Sequence, residues 1–132
     1  MAAVFAATYE ASAANIVLVR NQLAALARDC GLDERAVGDV KLAVSEATTN
    51  ALVHGYRGEG GTIRVEAELA QDALHIRVRD RGIGMSPRAD SPGLGLGLPV
   101  IASVAEQVEI IEAPPAGTEV HMAFPCPVRP EA

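Results

Sequence analysis

The sequence predicts an α+β fold: a two-layer sandwich with about three helices on one face of a mixed, mainly antiparallel sheet. Three observations carry this. Two stretches with apolar residues at helical spacing occupy the first half of the chain. A strictly alternating pair of segments, joined by a two-residue turn, follows them. A further helical stretch and a second strand pair complete the chain. The 132 residues suit one domain, 1–132, with an irregular tail at 125–132. Hydrophobic residues make up 49% and aromatic ones only 3%, so the core rests on Ala, Val, Leu and Ile.

Residues 4–10 read as a short strand ending near Glu10. Ser12 is placed to cap the next helix, with Asn15 in its first turn. Ile16, Val19, Leu23 and Leu26 then recur at helical spacing as far as Arg28, and Gly31 stops the helix. Asp33 is a second N-cap. It opens a long helix to about His54, with a stripe of Val37, Val40, Val44, Ala47 and Ala51. Gly55, Gly58, Gly60 and Gly61 end it in a polar turn. From Thr62, the residues Ile63, Val65, Ala67 and Leu69 alternate with Arg64, Glu66 and Glu68. Gln71 and Asp72 form a hairpin turn. Beyond it, Leu74, Ile76 and Val78 oppose His75, Arg77 and Arg79. Asp80 to Pro92 is a loop rich in Gly, Pro, Ser and Asp. A helix follows from about Gly95 to Gln107, carrying Leu98, Ile101, Val104 and Ala105. Val108 to Ile111 is a strand, Pro114 to Gly117 a turn, and Thr118 to Phe124 the last strand. The proline-rich tail cannot continue a regular element.

The formal net charge is -6, from 11 basic and 17 acidic residues. This argues against general affinity for nucleic acid or anionic membranes. It leaves room for a small anion held by backbone amides. No apolar run reaches the roughly 18 to 20 residues that span a bilayer. Met1 to Phe5 lacks the basic start of a signal peptide, so a cytoplasmic location is expected. Cys30 and Cys126 form no CxxC or CxxH pair, so neither a zinc site nor a disulfide framework is expected.

Four constellations carry chemistry. On the long helix, Glu46, Asn50 and His54 are spaced four apart and share one side, off the apolar stripe. A carboxylate and a carboxamide one turn apart can place a hard cation or a water against an anionic ligand. Second, Asp80 ends a strand, followed by Gly82 and Gly84. Its parity is that of Leu74, Ile76 and Val78, so its carboxylate enters the covered side of the sheet, where it needs a donor. An exocyclic amine such as that of adenine would serve. Third, Gly93, Gly95 and Gly97 alternate before a helix and expose backbone N–H groups where the helix dipole favours an anion. No Gly-Lys-Ser/Thr occurs, and the loop follows no βαβ strand. It is therefore neither a Walker loop nor a dinucleotide fingerprint. Fourth, Thr118 follows Gly117 and shares the parity of Val120, Met122 and Phe124.

In this order the motifs resemble those of the GHKL, or Bergerat-fold, ATPases. Within that superfamily they resemble the small anti-sigma-factor serine/threonine protein kinases of bacterial partner-switching systems. Glu46 to Tyr56 is similar to that subfamily's N box, Asp80-x-Gly82-x-Gly84 to the G1 box, and Gly93 to Gly97 to the G2 box. Gly117-Thr118 resembles the last nucleotide-contacting motif, and the likeness runs from about residue 4 to 125. The resemblance implies ATP and Mg²⁺ as cofactors. Asn50 would coordinate Mg²⁺, and Glu46 would orient or deprotonate the attacking hydroxyl. Asp80 would accept from the adenine amino group, with Thr118 beside it. Gly82 and Gly84 would admit the base, and Gly93, Gly95 and Gly97 would offer donors to the phosphates. Relatives often place an arginine near the γ-phosphate, which makes Arg88 a candidate. His54 reads as structural, closing the helix end.

The resemblance also implies partners: an anti-sigma-factor antagonist as protein substrate, a sigma factor as binding partner, and a homodimer. One departure stands out. Only Met85 to Pro92 separates the G1 and G2 boxes, and Arg88 is the sole basic residue there. That short lid supports a second reading, a nucleotide-gated partner-switch protein with little or no catalysis. A third reading, the catalytic domain of a histidine kinase, needs a separate phosphoacceptor chain.

Overall fold

The computed structural model of the chain describes residues 3–55, 61–81, 100–112 and 117–126. Their order is β1 (Ala3–Glu10), α1 (Ala13–Asp29), α2 (Glu34–Asn50), a π-helical turn (Ala51–Gly55), β2 (Thr62–Ala70) and β3 (Ala73–Asp80). A third helix, α3, at 100–104 precedes β4 (Gln107–Glu112) and β5 (Thr118–Pro125).

Both early helices start where short polar side chains predict. Ser12 Oγ accepts the Asn15 N–H at 3.1 Å, and Asp33 Oδ1 accepts the Ala36 N–H at 2.8 Å. Each bond satisfies an otherwise orphaned amide of the first turn. Gly31 ends α1 at φ +96, where an L side chain is disfavoured. The Gly31 N–H reaches Arg28 O at 3.0 Å and the Leu32 N–H reaches Ala27 O at 3.1 Å, a Schellman closure.

The long helix departs from expectation at its end. α2 stops at Asn50, and the next five residues wind as a π-helical turn. Just before the change, Thr48 Oγ1 lies 2.7 Å from Val44 O and 3.2 Å from Ser45 O, a side-chain bond back to the preceding turn.

The sheet order is β1-β2-β3-β5-β4, and all four pairings are antiparallel. Gln71 and Asp72 both take positive φ, 55 and 59. This is the type I′ geometry that matches the twist of a two-residue hairpin. The helix expected to reach Gln107 is helical only to 104. Glu106 N–H already donates to Ala123 O at 2.8 Å, and Gln107 pairs with Ala123, so β5 captures the chain first.

The core lies between the helices and one sheet face. Leu23, Val40 and Val44 from the helices meet Val65, Leu74, Ile76, Met122 and Phe124 from the sheet, all fully buried. Burying one such side chain contributes about 1.5–3 kcal/mol. The opposite face carries charge: Arg64 pairs with Glu66 at 3.0 Å, and Arg77 lies 3.6 Å from Glu68 and 3.9 Å from Glu119. These exposed pairs add little stability. No helix among the described residues is long and apolar enough to cross a membrane.

Candidate functional site

Asp80 is the last residue of β3 and Thr118 the first of β5, and the ladder sets them directly opposite each other. Asp80 is 3% exposed and Thr118 1%. The parity argument thus places both correctly on the covered face. On its other side Asp80 pairs with Ile63, also buried. A carboxylate at an apolar sheet end costs several kcal/mol (order of magnitude) unless donors meet it, and an N–H of a ligand can be one of those donors.

Gly117 completes this corner. It takes φ +108, and a Cβ there would stand 2.0 Å from Asp80 O. The residue before β5 therefore touches the backbone of Asp80. The resemblance picks out Gly117 with Thr118 as a nucleotide-contacting pair; its contact with the Asp80 backbone comes from the fold. The available signal was its place immediately before a strand whose partner ends in a buried acid.

Asn50 closes α2. It was expected off the core face, yet it is 4% exposed. The reason is the end of the helix: α2 packs against β3 and β5, and the π-helical turn packs against β3. Asn50 is thereby buried at the end of the helix that lies on the sheet. Its Nδ2 has no hydrogen-bond partner among the described residues. Arg20 Nε and Ser45 Oγ are likewise unpartnered, but they belong to residues only half-buried. Glu46, one turn earlier, is half-buried. The structure thus pairs Asp80 with Thr118 and buries Asn50 at the end of α2, with Glu46 half-buried one turn earlier.

A carboxamide offers oxygen to a hard cation and N–H to a phosphate oxygen. The unpartnered end of Asn50 is the nitrogen, which can donate to a phosphate oxygen; a cation would need the oxygen. Among the described residues no cluster of three or more His, Cys, Asp or Glu could hold a metal by itself. A cation there would take most of its ligands from water and an anionic ligand, as Mg²⁺ does. Gly82, Gly84, Arg88, Gly93, Gly95 and Gly97 lie outside the described residues, as does the side chain of His54.

The open sheet face holds two further features. A cleft of about 350 Å³ is lined by Gln107, Val108, Glu109, His121 and Ala123. Beside it, His75 Nδ1 lies 3.1 Å from His121 Nε2. Burial, then Arg77 and His75, hold the His121 imidazole below its ordinary range, against the opposing pull of Glu109 and Glu119. This face is turned away from Asp80 and Thr118.

The pattern that defines the histidine kinase-like ATPase domain matches residues 9–124. An anti-sigma F factor of Clostridium beijerinckii is 38% identical over 104 residues, covering 70% of this chain and 71% of that protein. An anti-sigma F factor of Clostridium acetobutylicum is 32% identical over 123 residues, covering 85% and 86%. Among solved structures, the RsbU and RsbW domains of Rv1364c from Mycobacterium tuberculosis superimpose with a TM-score of 0.70 at 25% identity. That match covers 92% of this chain and 32% of the larger one.

Proposed function

The chain belongs to the histidine kinase-like ATPase domain family, and we propose that it is an ATP-binding serine/threonine protein kinase of the anti-sigma-factor type. Its substrate is a small anti-sigma-factor antagonist and its binding partner a sigma factor. Relatives named anti-sigma F factors support this reading. The observation that carries it is Asn50, buried one turn beyond Glu46, with a carboxamide nitrogen that has no partner among the described residues and can donate to a phosphate oxygen.

Mg²⁺, when bound, neutralises charge on the transferring phosphoryl group. Asn50 would hold it through the carboxamide oxygen. Asp80 accepts from the adenine amino group, and Thr118 adds a hydroxyl beside it. Gly82 and Gly84 admit the base, while Gly93, Gly95 and Gly97 offer amides to the phosphates. Glu46 takes the proton of the attacking hydroxyl. The serine or threonine oxygen bonds to the γ-phosphorus as its bond to the bridging oxygen breaks, and ADP leaves. Arg88 is the candidate cation toward the γ-phosphate.

Incubation with radiolabelled ATP, Mg²⁺ and the cognate antagonist should label the antagonist. Glu46→Ala should abolish labelling while ATP binding persists in a calorimetric titration. Labelling that survives Glu46→Ala would remove Glu46 from its role. A second reading rests on the short segment Met85 to Pro92. In it the chain binds ATP and sequesters its partner without transfer. Tight ATP binding with no labelled antagonist would favour it.

A further inference from the structure

We infer that Gly117 is a positioning residue that sets where the Asp80 carboxylate stands, and through it the preference for a base bearing an amino group. The inference rests on the nucleotide reading above. A Cβ at position 117 would lie 2.0 Å from Asp80 O, 2.8 Å from Arg81 Cα and 2.9 Å from Asp80 C. All three are backbone atoms, which cannot swing aside as the end of a long side chain can. The backbone at 117 also sits at φ +108, so an L side chain there is strained for a second, separate reason.

The surrounding ladder decides which part gives way. Thr118, the next residue, is the register partner of Asp80, and Val120, Met122 and Phe124 pair in turn with Val78, Ile76 and Leu74. All six of those residues are buried in the core. Sliding β5 to admit a methyl group would shift every one of these pairs. Displacing the last residue of β3 disturbs one pair on each side of it, with Ile63 and with Thr118. A methyl at 117 therefore moves Asp80, and the carboxylate moves with its backbone. A hydrogen bond to an exocyclic amine tolerates little of this, since donor and acceptor must stay within about 2.7–3.2 Å. Gly117 itself touches no part of the base in this account; it acts through Asp80.

The test titrates wild type and Gly117→Ala with two ligands in the presence of Mg²⁺. One is ATP. The other is the triphosphate of purine riboside, which lacks only the 6-amino group. Wild type should prefer ATP about tenfold or more, the worth of a charge-assisted hydrogen bond. Gly117→Ala should weaken ATP about tenfold and leave the analogue within about twofold, so the preference collapses. Asp80→Ala should do the same, and the double variant should be no worse than either single one.

Equal weakening of both ligands by Gly117→Ala, or losses that add in the double variant, would overturn the inference. A wild type that binds ATP and the analogue alike would overturn it too. A wild type that binds neither ligand would instead overturn the nucleotide reading itself. Where circular dichroism shows Gly117→Ala unfolded, the same ratio is read in trimethylamine N-oxide, which favours the compact state. A variant still unfolded there would mean that Gly117 serves the whole sheet, and the inference would fall.

Discussion

Asn50 buries a carboxamide whose nitrogen meets no acceptor among the described residues. Such a group costs about 1–3 kcal/mol in an otherwise satisfied interior. Replacing it with an apolar side chain of similar size should therefore not harm the fold. Asn50→Leu is expected to leave the urea midpoint unchanged or raise stability by about 1 kcal/mol. The same variant should weaken binding of Mg-ATP at least about tenfold in calorimetry. A destabilised variant that still binds would show that Asn50 serves packing instead. The residues of this site were unequally legible. Asp80 and Thr118 could be placed because strand parity is a local rule and both strands keep it to their ends. Asn50 could be picked out by type and spacing, but its burial could not. That depends on where α2 stops and on the sheet beneath it. Gly117 was harder still, since its constraint is the backbone of a residue far away in sequence.

At the scale of elements, starts were legible and ends were not. Ser12 and Asp33 cap within their own first turns, so the local sequence suffices. The π-helical turn and the early stop of α3 are settled by packing and by pairing to β5. The β2–β3 turn falls between these cases. Its place was clear, but Gln71 and Asp72 both hold positive φ, a geometry that neither prefers as Gly or Asn does. Changing the pair to Asn-Gly should stabilise the protein by about 0.5–1 kcal/mol, read as a higher melting temperature. The Cys126 N–H donates to Asp72 O at 2.9 Å, a backbone bond that glycine keeps. On the open face, His121 supplies a pH dependence. Its imidazole is held below its ordinary value, chiefly by burial. The unfolded chain therefore takes up a proton first as pH falls below about 6.5. The stability that the neutral ring contributes is present above that pH and lost below it. Urea midpoints from about pH 7 to pH 5 should fall, and His121→Gln should reduce the slope. An unchanged slope would assign the acid sensitivity to other groups.

At the scale of the molecule, the candidate site joins parts that are remote in the chain. Glu46 and Asn50 stand on α2, Asp80 at the end of β3 and Thr118 at the start of β5. The layering of helices on sheet was legible from periodicity. The insertion of β5 between β3 and β4 was not, because strand order is decided by long-range pairing. Residues so remote in sequence can serve one ligand only in the folded chain, so a ligand that needs them binds the native state and not the unfolded one. Its binding must then raise stability by mass action, by about 2.7 kcal/mol at a hundred times Kd. For a domain of this size that is a rise of about 8–15 °C in melting temperature. Mg-ATP is expected to produce it, and Asp80→Asn to shrink it at the same ATP concentration. Ser12→Ala separates ligand linkage from general weakening. It removes only the cap of α1 and should lower the unliganded melting temperature, since such a cap contributes about 1 kcal/mol. The increment from Mg-ATP should stay as in wild type, because α1 supplies no residue to the site. Increments that shrink equally in Asp80→Asn and Ser12→Ala would mean that the ligand senses the fold as a whole and not the corner where β3 and β5 meet.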